Sequence, residues 1–131
     1  MQHKGTITIE TKRLRLRAFE LSDTEAAYKN WTSDEKVTEF LRWPTHTDIS
    51  TTEKVICNWV EESKKADFYQ WAIVLKEINE PIGTISVVGK NDDLNILHIG
   101  YCIGSKWWHQ GITSEAFSSI IPYLFGLIYC K

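Results

Sequence analysis

The chain has 131 residues, 43% of them hydrophobic and 24% charged, with a formal net charge of −2. That length suits one modest domain with one core, and that charge argues against a protein that holds nucleic acid by charge alone. No apolar run approaches the roughly 20 residues that span a bilayer, and the opening MQHKGTITIE has no apolar signal core, so a cytoplasmic protein that engages neither membrane nor nucleic acid is expected.

TKRLRLRAF alternates, with Leu14, Leu16 and Ala18 on one side and Arg13, Arg15 and Arg17 on the other. That is the period of a half-buried strand. Its arginines suit an anion site or, as the plainer reading, a solvated face. SDTE at Ser22–Glu25 has the form of a capping box with Ser22 as N-cap, and predicts a helix through Asn30. SDEKVTEFL repeats the signal, with Ser33 as the cap and Val37, Phe40 and Leu41 as the apolar stripe. Pro44 ends that helix. A third helix is predicted from about Asp48 to Lys65, with Val55, Ile56, Trp59 and Val60 inward.

The period then changes. YQWAIVL (Tyr69–Leu75) and PIGTISVVG (Pro81–Gly89) read as strands joined by the hairpin KEINE. After the polar turn KNDDLN, ILHIGYCIG (Ile96–Gly104) is the third strand of a meander. A helical stripe returns from Thr113 to about Leu127, where Pro122 predicts a kink or an early end. The sum is an α+β layout, helices packed on a mostly antiparallel sheet. Neither repeat nor linker divides it, so residues 1–131 read as one domain. Cys57, Cys102 and Cys130 are odd in number and lack C-x-x-C spacing. They read as reduced thiols, without a disulfide framework or a metal site.

WWHQGITSEA joins the last strand to the last helix. The first backbone N–H groups of a helix have no intrahelical partner, and with the helix dipole they attract anions. Gly111 permits a positive φ and a close approach to the backbone. Thr113 and Ser114 are small and carry hydroxyls, and Glu115 complements the dipole. Residues 110–114 therefore suit a phosphate or pyrophosphate cradle, and equally an ordinary turn before a capped helix. Neither a P-loop nor a dinucleotide fingerprint is present.

Four segments in order carry a resemblance. ETKRLRLRAFELSDTEAAY is similar to a T-x-R-L-x-L-R strand followed by an Asp-containing helix start. PIGTISV is similar to an IG-x-x-x strand, HIGYCIGSKWW to E-I-G-Y-x-I, and WHQGITSEA to W-G-x-G-Y-A-T-E-A. Together, from about Thr11 to Leu124, they resemble the GCN5-related N-acetyltransferases (GNAT), in the branch that acetylates ribosomal-protein N-termini and related amines.

The resemblance implies acetyl-coenzyme A as cofactor and a primary amine, a protein N-terminus or a small amine, as acceptor. It implies a pyrophosphate held by the backbone N–H groups of Gln110, Gly111, Ile112, Thr113 and Ser114. The pantetheine arm would pair with the backbone of Tyr101, Cys102 and Ile103 as an added strand, and an N–H near Ile103 would polarise the thioester carbonyl. Thr113 is bulkier than the family's Gly or Ala. His98 stands where the family carries a glutamate base; it reads as a candidate general base, histidine being the residue type that changes charge near neutrality, or as an ordinary strand histidine. Tyr101 reads as a packed strand residue or a substrate contact. Trp43, between helices beside Pro44 and His46, is the aromatic expected to line a substrate site if any does; core packing is the plainer role for it and for Trp31, Trp59 and Trp71.

The resembled family continues with a parallel strand, a helix and a hairpin, which supply the other cleft wall and the Tyr or Ser that protonates coenzyme A. Those segments do not follow Lys131 here, so a C-terminally truncated member is expected, and Tyr123 and Tyr129 are not assigned as the acid. An open edge on the strand Ile96–Gly104 predicts a homodimer or swapped oligomer. Two readings of function result: an N-acetyltransferase, or a catalytically impaired acetyl-coenzyme A-binding or interaction module that keeps the fold.

Overall fold

A computed structural model describes residues 4–39, 44–91 and 96–129. Five antiparallel strands lie in the order of the chain: β1 (Ile9–Glu10), β2 (Leu14–Arg17), β3 (Gln70–Leu75), β4 (Glu80–Asn91) and β5 (Ile96–Ile103). The helices are α1 (Thr24–Ala27), α2 (Glu35–Thr38), α3 (Ile49–Glu62) and α4 (Ile112–Tyr129). The α+β meander expected from the alternating pattern is present, with the short β1 added at its edge.

β3 sits at the centre, buried along its whole length. Successive side chains of a strand point to opposite faces, so β3 serves two cores at once. Trp71 and Ile73 join Leu14, Leu16, Ile85 and Ile103 beneath Ala116, Ile120 and Leu124 of α4. Ala72 and Val74 join Cys102 against Phe19, Ala27, Trp31 and Ile56 on the other face. Each fully buried isoleucine or leucine there contributes about 1.5–3 kcal/mol relative to exposure. The indole N–H of Trp71 donates to the Ile7 carbonyl at 2.6 Å. The KEINE hairpin turns at Asn79, whose φ of 54° is one that asparagine tolerates.

The helix starts differ from the expected ones. The Ser22–Glu25 box does not form. The Asp23 carboxylate accepts from the Glu20 N–H at 2.8 Å and from both terminal nitrogens of Arg17 at 2.8 Å. A tight turn at Leu21–Asp23 therefore precedes α1. α1 does run on past Asn30, as one wide π turn at Tyr28–Thr32. That turn draws the Ser33 hydroxyl to the Tyr28 carbonyl, and the cap of α2 passes to Asp34, which accepts from Lys36 N–H at 3.0 Å. α3 starts near the expected position and is capped by Asp48, which accepts from Ser50 N–H at 2.8 Å. α4 runs through Pro122 to Tyr129, although the proline lacks the N–H that would have reached the Ser118 carbonyl.

The arginines of the first strand region do not gather into an anion site; they lie on a partly solvated face, each paired with a carboxylate. Arg13 pairs with Glu115, Arg15 with Glu10 and Arg17 with Asp23. The Asp23 carboxylate raises the pKa of the Arg17 guanidinium, against the opposing effect of burial. Among the described residues no helix is long and apolar enough to cross a membrane, and no cluster of three or more His, Cys, Asp or Glu could hold a metal ion.

Candidate functional site

β5 ends at Ile103, and the chain turns sharply at Gly104. A Cβ there would stand 2.2 Å from the Asn30 carbonyl oxygen and 2.7 Å from the Trp107 ring. Only glycine lets the strand end lie this close to the π turn. Ser105–Trp107 then forms a short 3-10 turn, and the Trp108 indole N–H returns to the Ile103 carbonyl at 2.9 Å.

Beyond Trp108 the backbone is left-handed twice, at His109 (φ 64°) and at Gly111 (φ 74°). Such reversals turn successive amides toward one side. The first i to i−4 bond of α4 runs from Glu115 N–H to the Gly111 carbonyl at 3.1 Å. The amides of Ile112, Thr113 and Ser114 precede it and have no intrahelical acceptor.

These turns enclose a cavity of about 520 Å³. Tyr101, Cys102 and Ile103 line one side, and Gln110, Gly111, Ile112, Thr113 and Ser114 line the other. The structure thus brings all eight residues expected to meet the cofactor around one space. Val37 of α2, Trp107, Trp108 and His109 complete the wall. Val37 was legible only as a helix stripe, and the two tryptophans only as bulky neighbours of the glycine. His109 stands where the resembled motif has glycine, and its left-handed φ is the backbone signature of that position.

Tyr101 does not pack: it is 59% exposed, on a strand that pairs only with β4 among the described residues. Cys102 is buried, and its thiol pKa is pushed up to about 12, first by burial and then by the Asp34 carboxylate. Burial also works to raise the Asp34 pKa, but hydrogen bonds from Ser105, Lys36 and Val37 outweigh it and leave that carboxyl below its ordinary value.

His98 is exposed on β5, paired across the sheet with Gly89 at a bulge. It shares a face with Cys102 but lies four residues, about 13 Å, up the strand, and does not line the cavity. Trp43 lies outside the described residues. Trp31 and Trp71 are fully buried core residues.

A second cavity, of about 460 Å³, opens between α3 and the π turn, with Thr32, His46, Lys54 and Trp59 in its wall. The buried Thr52 hydroxyl meets Thr32 Oγ1 and His46 Nδ1, each at 2.7 Å. Burial lowers the His46 pKa. The sequence offered no signal for this cluster beyond a histidine in a loop.

Comparison with known proteins follows the same geometry. The acetyltransferase (GNAT) domain model matches residues 13–129. An uncharacterized N-acetyltransferase, p20, from Bacillus licheniformis is 32% identical over 118 residues, 90% of this chain and 66% of that protein. The chain thus spans about two thirds of the length of that curated relative. A GNAT-family acetyltransferase from Bacillus anthracis superposes with a TM-score of 0.74 at 24% identity, over 91% of this chain and 66% of the other. RimL, a ribosomal L7/L12 α-N-protein acetyltransferase solved with coenzyme A, gives 0.76 at 21% identity, over 89% and 67%.

Proposed function

The chain belongs to the GNAT acetyltransferase family, and from that premise we propose that it binds acetyl-coenzyme A in the cavity at the end of β5 and transfers the acetyl group to a primary amine. Its sheet and helices have the acyl-CoA N-acyltransferase fold of that family. One observation carries the reading: Ile112, Thr113 and Ser114, whose amides open α4, and Tyr101–Ile103 at the end of β5 line the same 520 Å³ space. Three amides without intrahelical acceptors at a helix start suit a diphosphate, and the apolar wall of Val37, Ile103 and Trp107 suits a pantetheine arm.

Bound there, acetyl-coenzyme A would supply a thioester whose carbonyl carbon takes the amine nitrogen as coenzyme A departs as its thiolate. The left-handed turns at His109 and Gly111 aim loop amides at the phosphates. β5, which pairs only with β4 among the described residues, would offer its other edge to the amide groups of the arm, and a backbone N–H near Ile103 would hydrogen-bond the carbonyl oxygen as it gains charge. Cys102, held protonated by its raised pKa, is a wall of the channel and not a nucleophile. His98 is the proposed base, relieving the amine of a proton through water, since it lies on the Cys102 face and is open to solvent.

The acceptor is a protein N-terminus or a small amine, the chain works in the cytoplasm with reduced thiols, and a second copy covers the β5 edge. Calorimetric titration with acetyl-coenzyme A, followed by thiol release over an amine panel, tests the function. Turnover lost in His98→Ala supports the base; absence of binding overturns the reading. The separation of His98 from the cavity favours a second reading, binding without transfer, which saturable titration without thiol release would support. Light scattering tests the dimer, and a monomer at every concentration overturns it.

A further inference from the structure

We propose that Arg13 is a positioning residue that sets the geometry and charge of the cofactor loop from behind; the proposal rests on the acetyl-coenzyme A reading above. Arg13 does not line the cavity, yet it holds both ends of the loop. Its Nη1 donates to the Gln110 carbonyl at 3.0 Å. Its Nε donates to Glu115 Oε1 at 2.7 Å, and its backbone N–H to Glu115 Oε2 at 3.0 Å. Thr11 donates its hydroxyl to the same Oε2. One planar guanidinium therefore spans the loop from its first carbonyl to the first turn of α4, which a flexible ammonium is poorly built to do.

The first consequence is orientation. In a trans peptide the carbonyl and the following N–H point in opposite directions. Tying the Gln110 carbonyl back to Arg13 turns the Gly111 N–H away from Arg13, toward the side on which the cavity lies. Arg13 thereby selects the peptide orientation in which Gly111 is a donor to an anion. The positive φ of Gly111 permits that orientation, while its missing Cβ adds little, since the nearest atom would be Arg13 Nη2 at an ordinary 3.6 Å.

The second consequence is electrostatic. A carboxylate in the first turn stabilises a helix but repels a diphosphate at the same end. Glu115 is turned back onto Thr11 and Arg13, where three donors hold it. Burial acts to raise its pKa, and the hydrogen bonds from Thr11 and Arg13 reverse that effect, leaving it below the ordinary value. The charge that suits the helix is thus neutralised where it would oppose the ligand. Both partners are partly exposed, at 42% and 21% of their side-chain surface, so the effect depends on the shared hydrogen bonds more than on charge alone.

The test compares two probes on the full chain. Coenzyme A carries the diphosphate; pantetheine carries the same arm without it. Coenzyme A also carries the phosphoadenosine, so the change in the ratio of the pantetheine constant to the coenzyme A constant between wild type and variant, and not the ratio itself, reports what Arg13 contributes. In Arg13→Gln that ratio falls about tenfold, the size of one charge-assisted hydrogen-bond network. In Arg13→Lys, which reaches one end of the loop but not both, it falls about threefold, and this variant carries the comparison if Arg13→Gln does not fold. A ratio unchanged within about twofold overturns the proposal, whether both affinities persist or both decline together, because general damage to the fold moves the two probes alike. Wild-type chain that binds neither probe overturns the cofactor reading and this proposal with it; wild-type chain that binds coenzyme A while the Arg13 variants keep its ratio overturns this proposal alone.

Discussion

Asp34 and Ser105, 71 positions apart, are joined twice: Asp34 Oδ2 accepts from the Ser105 N–H at 3.0 Å and from its hydroxyl at 2.6 Å. The other oxygen of Asp34 caps α2. A single carboxylate thus ties the helix that contributes Val37 to the turn that contributes Trp107, two walls of one cavity. Asp34→Ala removes the cap and both bonds, and should lower stability by about 2 kcal/mol. Ser105→Ala removes only the hydroxyl bond and should cost about 1 kcal/mol. Urea unfolding of both variants measures the difference, and equal losses would show that neither the cap nor the Ser105 N–H bond contributes.

The cysteines should differ in reactivity. Cys57 is exposed on α3, whereas Cys102 is buried with its pKa near 12. Alkylation needs the thiolate and access to it. Iodoacetamide at mildly alkaline pH should label the exposed Cys57 in the native chain and spare Cys102 until the protein unfolds. Peptide mass mapping reads the result, and equal labelling of the two would contradict the buried placement of Cys102.

Acid should weaken the fold in two stages. His46 has a folded pKa lowered by burial. An unfolded imidazole takes up its proton from about pH 6.5 downward, so the unfolded state binds more protons there and gains on the native state as pH falls. The His46 contribution is full above about pH 6.5 and is lost as pH drops through the folded value. Asp34 and Glu115 have lowered folded pKa values; their contribution is full above about pH 4 and is lost below it. Urea midpoints measured against pH should show both stages, and His46→Gln should flatten the upper one only.

Two glycines should answer oppositely to alanine. Gly111 holds φ 74°, where an L side chain costs about 1–2 kcal/mol, so Gly111→Ala should lose that stability and weaken coenzyme A binding. Gly126 lies in α4 with nothing within 4 Å of an added Cβ. Gly126→Ala should gain about 0.5–1 kcal/mol. Thermal unfolding with and without coenzyme A distinguishes the two.

The sheet was legible because its signal is local. Gln70–Leu75 is buried on both faces, as are residues 81–85 of the paired strand, and a short turn joins the two, so period and turn residues suffice. The helix starts were legible only in kind. ELSDTE and TSDE each offer several capping oxygens, and the choice was made elsewhere in the chain: Arg17 takes Asp23, and Ser105 takes Asp34. Gly111 and its small neighbours suggested a cofactor loop in the sequence, with an ordinary turn as the equal alternative. The brace of that loop could not be read, because Arg13 and Glu115 are 102 positions apart, and an arginine alternating with leucines looks like a solvated face. Tyr101 was misjudged by its place in an apolar strand, where the deciding fact is that the strand lies at the edge of the sheet.

The meander order of the sheet has a consequence for how the chain folds. β3, β4 and β5 pair with their sequence neighbours, so their hairpins close short loops and form early. The loop from Gly104 to Glu115 is shaped by partners 71 to 102 positions upstream, and those contacts close last. In a refolding experiment, capture of coenzyme A should trail the signal of the sheet. The end of the molecule that borders the proposed cofactor cavity is then the last part to become native, and any intermediate that accumulates has its strands in place before that cavity is closed.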